Sequence, residues 1–285
     1  MDLSLFFAGT AGSVPTARRG LPALLVRAGG DRLLFDCGEG TQQQLLRSVG
    51  LPEFDAVFVT HFHLDHWLGL LGMLKTFDLR ARERPLTIYG PPGLRALFTA
   101  MRLAFGRTGY PLELVELEPH EEVHFDGYLV VAFPVNHRVE AYGYALVEDD
   151  RPGRFDVETA RALGVTEGPD FGRLQGGETV AGVRPEQVMG PTRHGRRIVL
   201  SGDTAPCQAV EVFAHSADVL VHEATFLEDE RARARETFHS TARQAAEVAR
   251  AAGVRLLALT HLSTRYFPRD VRDEAREVFP NAHVP

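Results

Sequence analysis

At 285 residues, 44% hydrophobic and 24% charged, the chain has the balance of a globular protein with enough apolar residues for one large or two modest domains, which excludes a disordered polypeptide. No uninterrupted apolar run approaches the ~18 residues of a membrane span, and the short apolar run near Met1 has no basic segment before it, so a cytoplasmic protein without a membrane partner is expected. A net charge of -7 excludes broad electrostatic adhesion to nucleic acid, whose affinity comes from many phosphate contacts; a nucleic-acid partner would need local basic patches.

In chain order, the first signal is the run Arg32 to Asp36, apolar and closed by a carboxylate. A helical pattern follows over Gly40 to Val49, then a second apolar run, Ala56 to His61. Trp67 to Phe77 and, after a Pro-Pro-Gly break, Pro92 to Phe105 read as helices, while Val123 to Val147 alternates like an antiparallel pair. Residues 149–197 change character, with scattered Gly and Pro and little apolar periodicity; a loop of this length is usually functional or disordered, and it reads as an inserted arm. Beyond it come Ile198 to Asp203, Val219 to Glu223, a helix from Ser240 to Ala252 with Ser240 or Thr241 as cap, and Leu256 to His261. Five short apolar runs thus end in residues that bind metal or do chemistry, and buried strands of this kind gather ligands beyond their carboxyl ends. Cys37 and Cys207 cannot form a disulfide framework or a metal knuckle and read as buried thiols.

The segment Thr60-His61-Phe-His63-Leu-Asp65-His66 carries most information, with three histidines and an aspartate within six positions after an apolar strand. A turn there would aim His61 and His63 at one point and Asp65 and His66 at a second. Neutral imidazoles with carboxylates are a donor set for zinc that leaves positions open for water. Two such ions can clamp a phosphodiester and supply a nucleophilic water at neutral pH, with Asp65 placed to accept its proton.

His-x-His-x-Asp-His also resembles the hallmark of the metallo-β-lactamase superfamily, an α/β fold built as a four-layered αβ/βα sandwich. The match extends over almost the whole chain, through Asp36, His137 in Pro134-Val-Asn-His, Asp203 in Ser-Gly-Asp-Thr, and His261 in Leu-Thr-His-Leu. Within the superfamily, several stretches are similar to ribonuclease Z: Phe6-Phe-Ala-Gly-Thr, Asp36-Cys-Gly-Glu-Gly-Thr-Gln, Tyr142-Gly-Tyr144, His222-Glu-Ala-Thr-Phe226, His239-Ser-Thr241 and Thr260-His-Leu-Ser-Thr-Arg-Tyr266. The Gly168-Pro169 segment resembles the flexible arm by which that family grips tRNA.

The resemblance implies two Zn2+ per subunit, with Mn2+ or Fe2+ as alternatives, one on His61, His63 and His137, the other on Asp65, His66 and His261, and Asp203 bridging. It implies a precursor-tRNA substrate cut at its 3′ end to leave a 3′-hydroxyl, and a homodimer in which one subunit's arm serves the other's site. His239 would assist at the scissile phosphate or protonate the leaving oxygen, Glu223 would orient His239, and Asp36 would orient a metal ligand. A further motif of many members, Pro-x-Lys-x-Arg-Asn, is linked to sensing the 3′ CCA; here it reads Pro15-Thr-Ala17-Arg18-Arg19-Gly20, keeping charge in Arg18 and Arg19 but lacking the lysine and asparagine. Arg231, Arg233 and Arg235 alternate with alanine and read as a charged helix face. His120, His124, His194, His215 and His283 read as surface residues. The alternative reading is a hydrolase of the same fold acting on a small ester, a cyclic-nucleotide phosphodiesterase or an arylsulfatase-like enzyme, for which a distant arm has no use. A catalytically dead binding protein is disfavoured because every expected ligand is present.

Overall fold

The computed structural model describes residues 1–285. Its first half runs β1 (Leu3–Gly9), β2 (Ala23–Ala28), β3 (Asp31–Phe35), α1 (Thr41–Ser48), β4 (Ala56–Phe58), α2 (Leu64–Leu79), β5 (Leu86–Gly90), α3 (Leu94–Phe105) and β6 (Leu112–Glu116). These strands form one sheet in the order β1-β2-β3-β4-β5-β6, with β1 to β3 antiparallel and β3 to β6 parallel. The second half begins with β7 (Glu122–Phe125), β8 (Tyr128–Pro134) and β9 (Tyr142–Glu148). After the insertion it continues with β10 (Arg197–Leu200), α6 (Gln208–Phe213), β11 (Val219–Glu223), α7 (Arg231–Thr237), α8 (Ala242–Ala252), β12 (Leu256–Thr260), α9 (Pro268–Arg276) and β13 (Ala282–His283). Its sheet has the order β13-β12-β11-β10-β9-β8-β7.

Three apolar layers build an αβ/βα sandwich, two packing helices onto the sheet of each half and the third joining the halves. Leu25, Leu34, Val57 and Ile88 face Leu70, Leu74 and Phe77 of α2; Val199, Leu220 and Leu257 face the alanine-rich side of α8. The opposite faces meet between the sheets, where Phe35, Phe58 and Tyr144 pack with ring centroids 5.0 to 5.7 Å apart. Tyr144, fully buried there, donates its hydroxyl to the Val59 carbonyl across the seam at 2.8 Å. Helix α8 opens with a capping box in which Thr241 accepts from the Gln244 N–H and the Gln244 side chain accepts from the Thr241 N–H.

The five strands expected from the sequence are β3, β4, β10, β11 and β12, and their carboxyl ends converge on the seam. Three expectations need correction. Helix α2 starts at Leu64, not Trp67, so Asp65 and His66 sit in its first turn. The alternating stretch is a three-stranded antiparallel unit, β7 to β9. Residues 149–197 are not a bare loop: α4 (Val157–Ala162), α5 (Pro169–Gln175) and a 3-10 turn at Pro185–Gln187 enclose a small core of Ala160, Val165, Leu174, Val180, Val183 and Val188. Asp156 caps α4, and Gly168 and Pro169 open α5. Arg197 belongs to β10, so the insertion ends one residue earlier. At its neck the buried Glu148 accepts from the Arg196 backbone N–H at 3.0 Å and from its guanidinium at 2.6 and 2.7 Å. Cys37 is buried, Cys207 only half-buried, and the five outlying histidines are exposed. No helix is long and apolar enough to cross a membrane.

Candidate metal centre

The strand ends turn sharply to present their side chains. Asp36 after β3 and His261 after β12 both take the left-handed conformation, with φ of 57° and 56°, a costly geometry for residues with a Cβ that recurs at functional sites. His61 and His63 follow β4, His137 lies in the turn from β8 to β9, and Asp203 follows β10. The start of α2 is held by close backbone packing: the Cys37 N–H donates to the His66 carbonyl at 2.7 Å, the Gly69 N–H to the Cys37 carbonyl at 3.0 Å, and a Cβ on Gly69 would lie 2.1 Å from the Gly38 oxygen.

All seven expected ligands meet. His61 Nε2 lies 3.0 Å and His137 Nε2 3.3 Å from His63 Nδ1, forming one cluster. In the second, His261 Nε2 lies 3.4 Å from Asp65 Oδ2 and 3.2 Å from Asp203 Oδ2, with His66 Nε2 3.7 and 3.3 Å from the same two oxygens. Asp203 Oδ2 also stands 3.8 Å from His61 Nε2, between the clusters.

Outer partners fix which nitrogen each ring presents. The buried Asp36 accepts from His66 Nδ1 at 2.7 Å and from the Thr60 N–H and hydroxyl at 2.8 and 2.9 Å. Thr60 Oγ1, its proton committed to Asp36, accepts from His61 Nδ1 at 3.0 Å. His137 Nδ1 donates to the Phe238 carbonyl at 3.1 Å, and His261 Nδ1 to Thr225 Oγ1 at 2.8 Å, whose own proton goes to Glu223 at 2.7 Å. Four Nε2 lone pairs are thereby turned inward, the outer-shell pattern of metal-binding imidazoles.

Burial lowers the pKa of His61, His63 and His137, keeping these rings neutral. Burial also opposes charge on His66 and Asp203, yet Asp203 and Asp36 raise His66 well above its ordinary value, and His261 and His66 hold Asp203 well below. Asp65, despite burial, is held below the carboxylate range by His261 and His66. His66 Nε2 and Asp203 Oδ1 are buried without any hydrogen-bond partner, a costly state for polar atoms. Three neutral imidazoles with nitrogens 3.0 and 3.3 Å apart match the roughly 3.3 Å edge of a tetrahedron ~2.0–2.1 Å from one ion. Both clusters therefore fit a divalent cation.

Beside them His239 Nδ1 donates to Glu223 Oε1 at 2.7 Å, 4.0 Å from Asp203 Oδ2; burial opposes its charge, but Glu223 and Asp203 push its pKa up to about 9. Glu223 is fixed by the Thr204 and Thr225 N–H groups at 3.0 and 3.1 Å. His222 instead turns Nδ1 to the Glu223 carbonyl and takes no part in the cluster. Of the other expected site residues, Arg18 is exposed, whereas Arg19 is half-buried and donates to Thr10 Oγ1. Gly168 and Pro169 lie in the insertion, with no contact to the metal centre.

Sequence reasoning missed Thr60, Thr225, Phe238, Gly12 and Ser13. The Ser13 N–H donates to Asp65 Oδ2 at 3.0 Å, and Gly12 lies so close to His261 that a Cβ would sit 2.7 Å from its Nδ1. The threonines carried a signal, each within two residues of a chemically marked strand end; Gly12 and Ser13 carried none, since only the tertiary fold brings them over His261 and Asp65.

A β-lactamase superfamily domain model matches residues 31–262. The chain is 51% identical to ribonuclease Z of Myxococcus xanthus, over 97% of this chain and 93% of that one, and 48% identical to ribonuclease Z of Haloferax volcanii, over 98% and 91%. Among solved structures it resembles the short form of human tRNase Z, with a TM-score of 0.71 and 27% identity over 99% of this chain and 95% of that one. The metallo-β-lactamase fold protein YhfI of Bacillus subtilis, TM-score 0.74 at 20% identity over 99% and 95%, shares the fold. With this coverage and this identity, the chain belongs to the ribonuclease Z family of the β-lactamase superfamily.

Proposed function

We propose that this protein is a zinc-dependent endoribonuclease that removes the 3′ extension of precursor tRNA and leaves a 3′-hydroxyl on the tRNA. The observation that carries the reading is the meeting of His61, His63, His137, Asp65, His66 and His261 around Asp203, in a chain half identical to a ribonuclease Z. The first three would hold one ion and the second three the other, with Asp203 shared. Bound there, two zinc ions would supply positive charge against the phosphoryl oxygens and lower the pKa of the attacking water; the same donors accept manganese or iron.

The chain's own residues do the rest. Asp65, held in place by the Ser13 N–H, accepts the proton of the attacking water as the water oxygen bonds to phosphorus. As the bond from phosphorus to the 3′ oxygen breaks, His239 gives its proton to that oxygen, and Glu223 both orients the ring and supports its charge. Asp36, Thr60 and Thr225 keep the imidazoles turned inward. The insertion, 149–196, serves as the tRNA-binding arm with Gly168 and Pro169 on it, in a homodimer whose arms reach across. With mixed charge on the arm, recognition there rests on shape and few phosphate contacts.

The test is incubation of the purified protein with precursor tRNAs with and without an encoded CCA, mapping the cut. Cleavage at the 3′ end leaving a 3′-hydroxyl is expected, and Asp65→Ala is expected to abolish it; undiminished cleavage by that variant would remove Asp65 from the mechanism. The comparison of the two substrates decides whether, with Ala17 and Gly20 in place of the lysine and asparagine of the CCA-sensing motif, the CCA-bearing one is rejected. Deleting 149–196, which spares β10, separates this reading from a small-ester hydrolase: tRNA cleavage should be lost while bis(p-nitrophenyl) phosphate is still hydrolysed, and unchanged tRNA cleavage would refute the arm's role.

A further inference from the structure

Next to His239 lies an open hollow of about 580 Å3, within the range of small-ligand sites. It is walled by Arg231, Arg235 and Ala232 of α7, by Ala205 and Pro206 of the segment leaving Asp203, and by Gln244 of α8, with His239 at its edge. The lining contains two arginines and no carboxylate, in a chain whose net charge is -7. Arg231 and Arg235 stand four residues apart, so they share one face of α7; the helix ends at Thr237, and after the left-handed Phe238 the chain turns back so that the His239 N–H caps the Ala234 carbonyl at 2.8 Å and His239 borders the hollow. Arg231 is paired with Glu228 at 2.9 Å; the exposed Arg235 has no acidic partner. Gln244 spends its carbonyl on the Thr241 cap and leaves its amide N–H2 without a protein partner. The segments forming the hollow begin two residues after Asp203 and at His239 itself, so an occupant of the hollow adjoins the metal centre.

We propose that this hollow is a subsite for the RNA backbone phosphate next to the scissile one, held by Arg235 with Arg231 behind it, a proposal that rests on the reading of this chain as an RNA endonuclease. Arginine's fork suits bidentate recognition of a phosphate, and a helix face with one unpaired arginine beside a metal centre gives the chain a local basic patch that its overall charge lacks. The Gln244 amide faces the same space as a hydrogen-bond donor to the attached ribose or base. Arg231 and Arg235 are therefore more than a solvated charged face.

The test is a thermodynamic cycle between Arg235→Ala and substrates in which a single linkage is a neutral methylphosphonate, placed either one position 5′ or one position 3′ of the scissile bond. Arg235 is exposed on a helix, so alanine there leaves the fold intact, checked by the melting temperature. The dissociation constant is measured on EDTA-treated protein and kcat/KM on metal-loaded protein. For one of the two linkages, either change alone should weaken binding about 10- to 100-fold, and both together should weaken it no further. The salt dependence of binding should also become shallower by about one phosphate contact in the variant. Multiplying effects at both linkages, or an unchanged dissociation constant in Arg235→Ala, would overturn the subsite. Absence of cleavage by the unaltered protein would instead refute the functional reading, and the binding arm would still decide the subsite.

Discussion

Replacing Glu148 with glutamine at the neck of the insertion should cost stability in a pH-dependent way. Three donor contacts from Arg196 draw the Glu148 carboxyl down to about 2 against the opposing effect of burial, with Arg151 3.7 Å away as a further cation. The ordinary value is 4.5, and a shift of that size corresponds to about 3 kcal/mol of native-state stabilisation at neutral pH. Because the folded pKa is depressed, the contribution is complete above the unfolded value and fades as pH falls through the folded one. About 2 kcal/mol of it should vanish between pH 6 and pH 3. Glu148→Gln keeps the shape and an acceptor for the Arg196 N–H but no charge. Urea denaturation of EDTA-treated wild type and variant should therefore show a large gap at pH 6 that closes by about 2 kcal/mol at pH 3. The use of metal-free protein keeps ligand titration at the distant histidines from depending on bound ions. A gap of equal size at both pH values would refute the account, since it would assign the loss to packing and not to the carboxylate's charge.

Asp36→Asn removes the charge that fixes His66 Nδ1 and should weaken metal binding about 10- to 100-fold, read by competition with a chromophoric chelator. Thr225→Val breaks the chain from His261 Nδ1 through the hydroxyl to Glu223 and should lower metal affinity by a similar factor; a larger loss of kcat than of affinity would place Thr225 with Glu223 and not with His261. Gly69→Ala forces a Cβ onto the Gly38 carbonyl oxygen and displaces the first turn of α2; a destabilisation of about 1–3 kcal/mol is expected, with metal stoichiometry below that of wild type, and an unchanged melting temperature would contradict the close packing. Tyr144→Phe removes the hydroxyl bond to the Val59 carbonyl and leaves that buried acceptor unpaired, costing about 1–3 kcal/mol by urea denaturation.

The parts of this site that were legible in the sequence are those where chemistry and strand pattern coincide. His61, Asp203 and His261 each close an apolar run too short for a helix, so both the element and its direction could be read. His137 was legible only through resemblance, because a lone histidine in a turn has no local signature. What could not be read is what depends on long-range approach: Ser13 reaching Asp65, the Phe238 carbonyl under His137, and Gly38 against Gly69. The insertion misled for a different reason. Its apolar residues are few and widely spaced, as befits a core of six buried side chains around two short helices, and that spacing produces no periodicity over an 11- to 18-residue window.

Both ligand clusters draw on both halves of the sandwich, with His61, His63, Asp65 and His66 from one and His137, Asp203 and His261 from the other. An ion in either cluster is then a rivet across the inter-sheet seam, tying segments about seventy to two hundred residues apart in the chain. Chemistry and cohesion would be joined at the same atoms: without an ion, His66 Nε2 and Asp203 Oδ1 stay buried with no partner, and the apolar seam of Phe35, Phe58 and Tyr144 holds the two sheets without that added clamp. The cellular supply of divalent metal would thereby set how long the protein persists as well as how fast it turns over, since breathing of the seam is the opening a protease needs.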